Sequence, residues 1–172
     1  LTNTTDQAPT VTGAVTGEIF TVTGTDGNGC ASSATTTITI NALPTVTATN
    51  TGPYCAGEAM SVSESGGQSS TWSWTSDGSA VLTNTTDQTP TVTGVVDGEI
   101  FTVTGTDGNG CSSSATTTIT INALPTVTAT NTGPYCAGEA MSVSESGGQS
   151  TSWSWTSDGS AVLTNTTDQT PT

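Results

Sequence analysis

The chain has 172 residues, of which 14 are acidic and none is Lys, Arg or His, so its formal net charge is −14. Proteins bind nucleic-acid phosphates and anionic membrane surfaces through Lys and Arg, and this composition argues against both partners. A Ser–His or Cys–His nucleophile pair is excluded, and the carboxylates show no paired spacing that suggests catalysis. We therefore expect no enzyme and no cofactor. No segment approaches the roughly 20 consecutive apolar residues of a membrane helix, which argues against membrane insertion.

Residues 100–111, IFTVTGTDGNGC, predict a β-hairpin. Phe101 and Val103 alternate with threonines, which is the period of two typical of a half-buried strand. Gly108, Asn109 and Gly110 follow and tolerate the positive φ that a hairpin turn requires. The abundance of Thr, Ser and Gly is also found in disordered chains, but alternating β-branched residues in strand-length runs argue against disorder.

The sequence repeats every 81 residues: the segment Leu-Thr-Asn-Thr-Thr-Asp-Gln at Leu1 recurs at Leu82 and at Leu163. Residues 1–81 and 82–162 differ at six positions, all small or polar exchanges, so the hydrophobic pattern is the same in both. A period this long indicates domains in series rather than a solenoid, whose repeats span about 20 to 45 residues.

The predicted junctions between repeats are the two Asn-Ala-Leu-Pro segments that end at Pro44 and Pro125, because proline cannot donate a hydrogen bond to a strand ladder. Residues 1–43 are then the C-terminal half of one repeat. Residues 44–124 form one complete repeat, and residues 125–172 form the N-terminal half of a following repeat.

The complete repeat contains seven predicted strands, and no segment has the 3.6-residue period of a helix. The strands are predicted at residues 45–49, 60–63, 71–75, 80–83, 90–93, 100–104 and 114–121. Short strands every 8 to 12 residues with glycine turns are typical of a β-sandwich, so the predicted fold class is all-β. The predicted core comprises Val46, Met60, Val62, Trp72, Trp74, Val81, Val92, Phe101, Val103, Ile119 and Ile121.

Four cysteines stand at positions 30, 55, 111 and 136, so each cysteine position occurs once per repeat. In the complete repeat Cys55 follows the first predicted strand and Cys111 begins the last, which favours a Cys55–Cys111 disulfide. Cys30 and Cys136 would then pair outside this sequence or with a neighbouring chain. Alternatively, Cys30–Cys55 and Cys111–Cys136 bridges would join adjacent repeats, or the thiols would be free. Disulfides of this kind indicate an oxidising compartment.

Five segments of the sequence are distinctive: GPYCAGE at 52–58, TWSW at 71–74, SWSW at 152–155, FTVTGTDGNGC at 101–111 and TTTITINALP at 116–125. Together they resemble the immunoglobulin-like, PKD-like repeats of giant surface proteins of the Bacteroidetes. The resemblance covers the whole chain and implies tandem immunoglobulin-like sandwiches of about seven strands. It supports a disulfide between Cys55 and Cys111. It also implies export by the type IX secretion system to the cell surface, where such proteins act as gliding adhesins or long filaments.

Two groups of residues are candidate binding sites. Asp107 and Asn109 offer oxygen atoms to Ca²⁺, but a calcium loop needs six or more ligands and its 12-residue pattern is absent, so a plain hairpin turn is favoured. Trp72 and Trp74 suit a sugar-stacking platform, but the repeat has few other large residues, and core packing is favoured. We therefore expect no metal site and no catalytic or cofactor-binding residue.

These patterns predict a structural function: a segment of a long extracellular adhesin or fibre at the cell surface, with one disulfide stabilising each repeat mechanically. The expected partners are neighbouring repeats, identical chains in a multi-stranded filament, and other cells or surfaces through a tip outside this sequence. The alternative is a module whose repeats themselves bind glycan or a partner cell, which predicts an exposed aromatic patch.

Overall fold

The computed structural model describes residues 1–2 and 4–171 of the chain. Every regular element in these residues is a β-strand, which confirms the all-β fold class. The strands are β1 (Ile19–Thr25), β2 (Ala31–Thr37), β3 (Ala48–Asn50), β4 (Tyr54–Cys55), β5 (Val62–Glu64), β6 (Thr71–Ser76), β7 (Val81–Thr83), β8 (Thr91–Thr93), β9 (Ile100–Thr106), β10 (Ser112–Thr118), β11 (Ile121–Asn122), β12 (Ala129–Asn131) and β13 (Val143–Glu145).

The chain forms two compact units, which we call the first and second units. The first unit comprises Leu1–Gly52 and Ala59–Thr120, and the second comprises Pro53–Glu58 and Ile121–Thr172. The predicted repeat boundaries at Pro44 and Pro125 stay a prediction.

β9 is the central strand of a three-stranded antiparallel sheet in the first unit, with the order β10-β9-β6. Phe101, Val103 and Gly105 are buried along β9, and the residues between them are half-buried. Successive side chains of a strand point to opposite faces, so this alternation places the two large apolar side chains on the core face. The predicted hairpin is confirmed, since β9 pairs with β10 from Ile100↔Thr118 to Thr106↔Ser112.

Four further strands of the first unit form small antiparallel pairs, β3 with β5 and β7 with β8. A bridge between Ser61 and Thr91 joins the β5 segment to β8. The Asn50 side chain connects β3 to the end of β10, because its Nδ2 donates to Thr117 Oγ1 at 2.7 Å and to the Thr118 carbonyl at 3.1 Å. All seven predicted strands of the complete repeat are therefore present, with bounds shifted by a few residues.

The buried side chains of the complete repeat include most of the predicted core. The hydrophobic side chains with at most 6% exposure are Tyr54, Val62, Trp74, Val92, Phe101, Val103 and Ile119. Val46, Met60, Trp72 and Ile121 are only half-buried. The sequence patterns did not single out Tyr54, which lies in β4, where it pairs with Ile121 of β11 in parallel within the second unit.

The prediction that Val81 lies in the core is wrong, because its side chain is 60% exposed. In the β7–β8 pair, Leu82 lies opposite the buried Val92, and Val81 lies opposite Thr93. Residues directly opposite each other in a sheet share one face, so Leu82 faces inward and Val81 faces solvent.

Two further hairpin-like pairs repeat this local structure. In the first unit, β1 pairs with β2 in the register of β9 with β10, and Gly24↔Ser32 matches Gly105↔Ser113. In the second unit, β12 pairs with β13 in the register of β3 with β5. The environments differ, since Val22 of β1 is 67% exposed and Val103 of β9 is fully buried.

Gly105 and Gly24 allow a matched test of this packing. A Cβ atom on Gly105 would lie 2.8 Å from Val46 Cγ2 and closer still to Ser69 Oγ, whereas one on Gly24 meets no atom within 4 Å. We expect Gly105→Ala to lower the free energy of unfolding by about 1–3 kcal/mol through overpacking. Gly24→Ala should change it by no more than about 0.5 kcal/mol. Urea denaturation followed by tryptophan fluorescence measures both, and equal effects would contradict the packing described here.

Candidate functional site

The described residues with the most constrained chemistry are three buried glutamates. Glu64, Glu99 and Glu145 are 3%, 3% and 5% exposed, in a chain that has no basic side chain to pair with them. A buried carboxylate is strongly unfavourable unless hydrogen-bond donors surround it. The hydrogen-bond donors around each of these glutamates are therefore described in turn below, with the segments of the chain from which they come.

Glu64, at the end of β5, connects three separate segments of the first unit. Its Oε1 accepts from the backbone N–H groups of Gly66 and, at 3.4 Å, Thr47. Its Oε2 accepts from Trp72 Nε1 at 2.9 Å and from Gln88 Nε2 at 3.4 Å. The carboxylate thus holds the turn after β5 against the segment before β3 and against the tryptophan of β6.

Glu99 is the second anchor and lies immediately before β9. Its Oε1 accepts from Ser76 Oγ and from the Ala80 N–H at 2.8 Å, and its Oε2 accepts from the Val96 N–H at 3.0 Å. Gly78 lies against this side chain, where a Cβ would fall 2.6 Å from the Glu99 carboxyl carbon. The carboxylate therefore closes the turn between β6 and β7 onto the start of β9.

The pKa of Glu99 lies below its ordinary value of 4.5. Burial raises this pKa, but the hydrogen bonds from Ser76, Val96 and Ala80 favour the ionised form and outweigh burial. The group is therefore ionised at neutral pH and serves as an acceptor.

Glu145 reproduces the Glu64 arrangement in the second unit. It accepts from Trp153 Nε1 at 3.0 Å, from the Thr128 N–H at 3.4 Å and from the Gly147 N–H. Burial raises the pKa of Glu145, but the hydrogen bonds from Trp153, Gly147 and Thr128 lower it by more. The pKa of Glu145 therefore lies below its ordinary value of 4.5. The same carboxylate network thus occurs in two successive repeats.

The Asp107 carboxylate is engaged within its own hairpin turn. Its Oδ1 accepts from the N–H groups of Asn109 and Cys111, each at 2.9 Å, and its backbone N–H donates to the Cys111 carbonyl. Burial raises the pKa of Asp107, and the Cys111 and Asn109 bonds lower it by more. Gly110 takes the positive φ of the turn, +83°. These bonds support the hairpin-turn interpretation, and no group of three potential metal ligands occurs in the described residues.

The two tryptophans of β6 are held by hydrogen bonds. Trp74 is 3% exposed and its Nε1 donates to the Asp87 carbonyl at 3.1 Å. Trp72 is half-buried, and its Nε1 is bound to Glu64. Trp74 is therefore part of the core, and a sugar-stacking face in the complete repeat would have to rely on Trp72.

All four cysteines are free thiols in the structure: Cys30, Cys55 and Cys136 are exposed, and Cys111 is half-buried. The Cys55–Cys111 disulfide is thus not formed here and stays a prediction, as do the partners of Cys30 and Cys136.

The sequence interpretation missed the buried glutamates, because it examined the acids only for a spacing that suggests catalysis. One signal was present for Glu64, because it lies two residues after Val62 on the same strand and so shares its inward face. Glu99 gave a similar signal, because it lies two residues before the buried Phe101, but its donors Ser76 and Ala80 are 23 and 19 residues away along the chain.

Glu99→Gln tests the anchor, with Glu18→Gln as its matched control. Glu18 is the equivalent residue of the preceding repeat, where it is exposed and accepts from the Val15 N–H at 3.1 Å. An amide cannot accept at both atoms, so we expect Glu99→Gln to reduce the free energy of unfolding by about 1–3 kcal/mol. Glu18→Gln should change it by less than about 0.5 kcal/mol. Similar losses in urea denaturation for both variants would refute the anchoring role.

Acidification should remove the contribution of Glu99 to the free energy of unfolding. A carboxyl group whose pKa is lowered by folding contributes its full stabilisation of the folded state at pH values above its pKa in the unfolded chain. This stabilisation is lost as the pH falls through its pKa in the folded state. The stability difference between wild type and Glu99→Gln should therefore be constant from pH 7 to about pH 5 and shrink below about pH 4.5. Comparing the two proteins at each pH cancels the relief of general charge repulsion. A difference that grows on acidification would contradict the lowered pKa.

Comparison with known proteins adds no relative: no protein-family model and no curated protein matches the chain. In the part of the chain that the structure describes, no helix is long and apolar enough to cross a membrane.

Proposed function

We propose that the chain is a structural segment of a long extracellular adhesin or fibre at the cell surface, built from tandem immunoglobulin-like β-sandwiches. In this proposal the β10-β9-β6 sheet forms one layer of the sandwich. The β3–β5 and β7–β8 pairs, joined through Ser61 and Thr91, form the other layer. The function of each repeat is mechanical: it keeps its length and resists unfolding when the fibre is pulled.

The observation that carries the proposal is the recurrence of one internal hydrogen-bond network. Glu64 and Glu145 accept from equivalent tryptophan, threonine and glycine donors in successive repeats. A carboxylate whose two oxygens accept from several donors joins the segments that carry those donors. Polar groups that are satisfied internally and repeat without change suit a scaffold whose length depends on repeat number.

The charge composition supports the same role. The surface carries acids without bases, so neighbouring molecules repel one another unless apolar or backbone contacts offset the repulsion. Proteases that cleave after Lys or Arg find no site in the sequence. Both properties suit a fibre exposed outside the cell, and the proposed export route and surface location rest on the resemblance to Bacteroidetes repeats.

A glycan-binding module remains the second candidate, and less supports it. It needs an exposed aromatic patch, but Trp74 is 3% exposed and Trp72 is half-buried with its Nε1 bound to Glu64.

Single-molecule pulling of the chain from its two ends tests the mechanical proposal. The complete repeat should unfold in one discrete force peak, because its core and glutamate anchors break together. After oxidation, a Cys55–Cys111 disulfide would withhold its loop, so reductant should lengthen the extension released in that peak by about 200 Å.

Cys111→Ser is the control and should give the longer extension with or without reductant. Extension without a force peak would contradict the mechanical role. A released length that reductant does not change would contradict the disulfide alone.

A further inference from the structure

The turn between β9 and β10 contains the dipeptide Asn109-Gly110, in which a side-chain amide lies next to an unhindered backbone N–H. Glycine has no Cβ atom, so its nitrogen can approach the preceding side chain without a steric clash. Asn109 is exposed to solvent. Asparagine is one of the thermolabile residues, because its amide can be lost. The dipeptide is therefore a candidate site for loss of ammonia.

This reaction needs no enzyme and no cofactor. The Gly110 nitrogen gives its proton to solvent and attacks Asn109 Cγ, so that a new C–N bond forms. The Cγ–Nδ2 bond then breaks, and ammonia leaves with a proton taken from water. Water opens the resulting succinimide ring at either carbonyl, which yields aspartate or isoaspartate at position 109. Both products carry a negative charge that Asn109 lacks.

Asp107 holds both reacting groups in the folded turn. Its backbone carbonyl accepts from the Gly110 N–H at 3.1 Å, so the attacking nitrogen is engaged. Its Oδ2 accepts from Asn109 Nδ2 at 3.4 Å, and its Oδ1 accepts from the Asn109 N–H at 2.9 Å. Removal of the Gly110 proton breaks the first of these bonds, and movement of the Asn109 amide toward Gly110 breaks the second. The folded turn therefore opposes the attack.

The charge of Asp107 opposes the same reaction. The attack places negative charge on the Gly110 nitrogen and then on Asn109 Oδ1, beside the carboxylate, and like charges repel. The chain has no Lys, Arg or His to neutralise them. Burial raises the pKa of Asp107, but the hydrogen bonds from Cys111 and Asn109 lower it by more. The carboxylate is therefore charged at neutral and alkaline pH, where the Gly110 nitrogen loses its proton most readily.

We propose that Asn109 is a modification site controlled by the Asp107 carboxylate: Gly110 attacks Asn109 and releases ammonia only while the turn is open. The product then keeps the turn open. A carboxylate at position 109 would face Asp107 Oδ2, to which the amide now donates. Isoaspartate would lengthen the backbone of a turn that fixes the register of β9 with β10. The modification is thus a lasting mark on a repeat that has opened.

The same turn occurs in the preceding repeat. The Asn28 N–H donates to Asp26 Oδ1 at 2.9 Å, and the Gly29 N–H donates to the Asp26 carbonyl at 3.1 Å. Gly29 has a φ of +87°, against +83° for Gly110. The residue after the turn cysteine is Ala in this repeat and Ser in the next, so peptides from the two turns differ in mass. Each turn is therefore a control for the other within one molecule.

This site goes beyond the mechanical proposal and does not depend on it. Where the chain carries force, a repeat unfolded by pulling would gain charge at its turn while folded neighbours would not, and this consequence alone rests on the mechanical proposal. Loss of ammonia is measured without force, so failure of the modification site and failure of the mechanical role are distinguishable.

Incubation of the reduced chain in warm, mildly alkaline buffer tests the control by Asp107. Pepsin digestion needs no basic residue, and mass spectrometry of the peptides reports aspartate and isoaspartate at Asn28 and Asn109. We expect Asn109 to lose ammonia at least about tenfold more slowly in the folded chain than in urea, because hydrogen bonds must break first. Asp107→Ala should accelerate the loss at Asn109 in the folded chain by about tenfold and leave Asn28 unchanged, and Asp26→Ala should do the reverse.

Glu99→Gln separates opening of the turn from unfolding of the whole repeat. Glu99 lies at the other end of β9 from the turn, so this variant weakens the repeat without changing the Asp107 hydrogen bonds. While the repeat remains folded, Asn109 should lose ammonia at the wild-type rate in Glu99→Gln. Tryptophan fluorescence of Asp107→Ala should match that of the wild type, which shows that its faster loss is local.

Asn109→Asp places the product in the turn, and Asn109→Ser removes the amide without adding charge. We expect Asn109→Asp to unfold at a lower urea concentration than Asn109→Ser, because two carboxylates then face each other. The difference should shrink at high salt, which screens the repulsion.

Four outcomes would overturn the proposal. Three concern the rate at Asn109: equal rates in the folded chain and in urea, a wild-type rate in Asp107→Ala, or the same acceleration in Glu99→Gln as in Asp107→Ala. The fourth is an Asn109→Asp chain as stable as Asn109→Ser, which would show that the product does not keep the turn open.

Discussion

The hydrogen bonding of buried carboxylates by backbone N–H groups is the interaction on which the rest of the structure depends. The chain has no cation to neutralise an inward-facing acid, so each buried glutamate must gather donors from turns and neighbouring strands. Glu99 accepts hydrogen bonds from the β6–β7 turn and from the segment before β9. Glu64 accepts hydrogen bonds from the segment before β3 and from the tryptophan side chain of β6. Short strands that pack few apolar side chains are thereby tied at their ends, where the loops would otherwise be free to move.

A second constraint is the close approach of strands at Gly105. The small residue lets β9 lie between β6 and β10 while the side chains of Val46 and Ser69 occupy the space that a Cβ would need. Apolar packing and carboxylate anchoring converge on β9, because Glu99 precedes the strand and Phe101 and Val103 fill the core from it. β9 is therefore the strand at which the buried apolar side chains and a carboxylate anchor meet.

Period-two alternation and glycine turns predicted the hairpin and the approximate positions of the strands, because both depend on neighbouring residues. The prediction that Val81 lies in the core was wrong. In the segment Val81-Leu82 either residue could face inward by its sequence alone. The pairing of Leu82 with the buried Val92 determines that Leu82 faces inward. The glutamate anchors escaped prediction because most of their donors come from distant segments that only the fold brings together. Trp74 was predictable, as few other large residues exist to fill a core.

The near-identity of successive repeats has a consequence for how such a chain finds its fold. β1 and β9 have one sequence, so an N-terminal half-repeat gains almost the same energy from either hairpin. Correct pairing then cannot rest on energetic discrimination and must come from proximity along the chain, where the shorter connection costs less loop-closure entropy. Synthesis in order reinforces this bias, because a half-repeat emerges just before its own hairpin. Refolding a denatured multi-repeat chain lacks that order, so misassembly between repeats should be more frequent there than during synthesis.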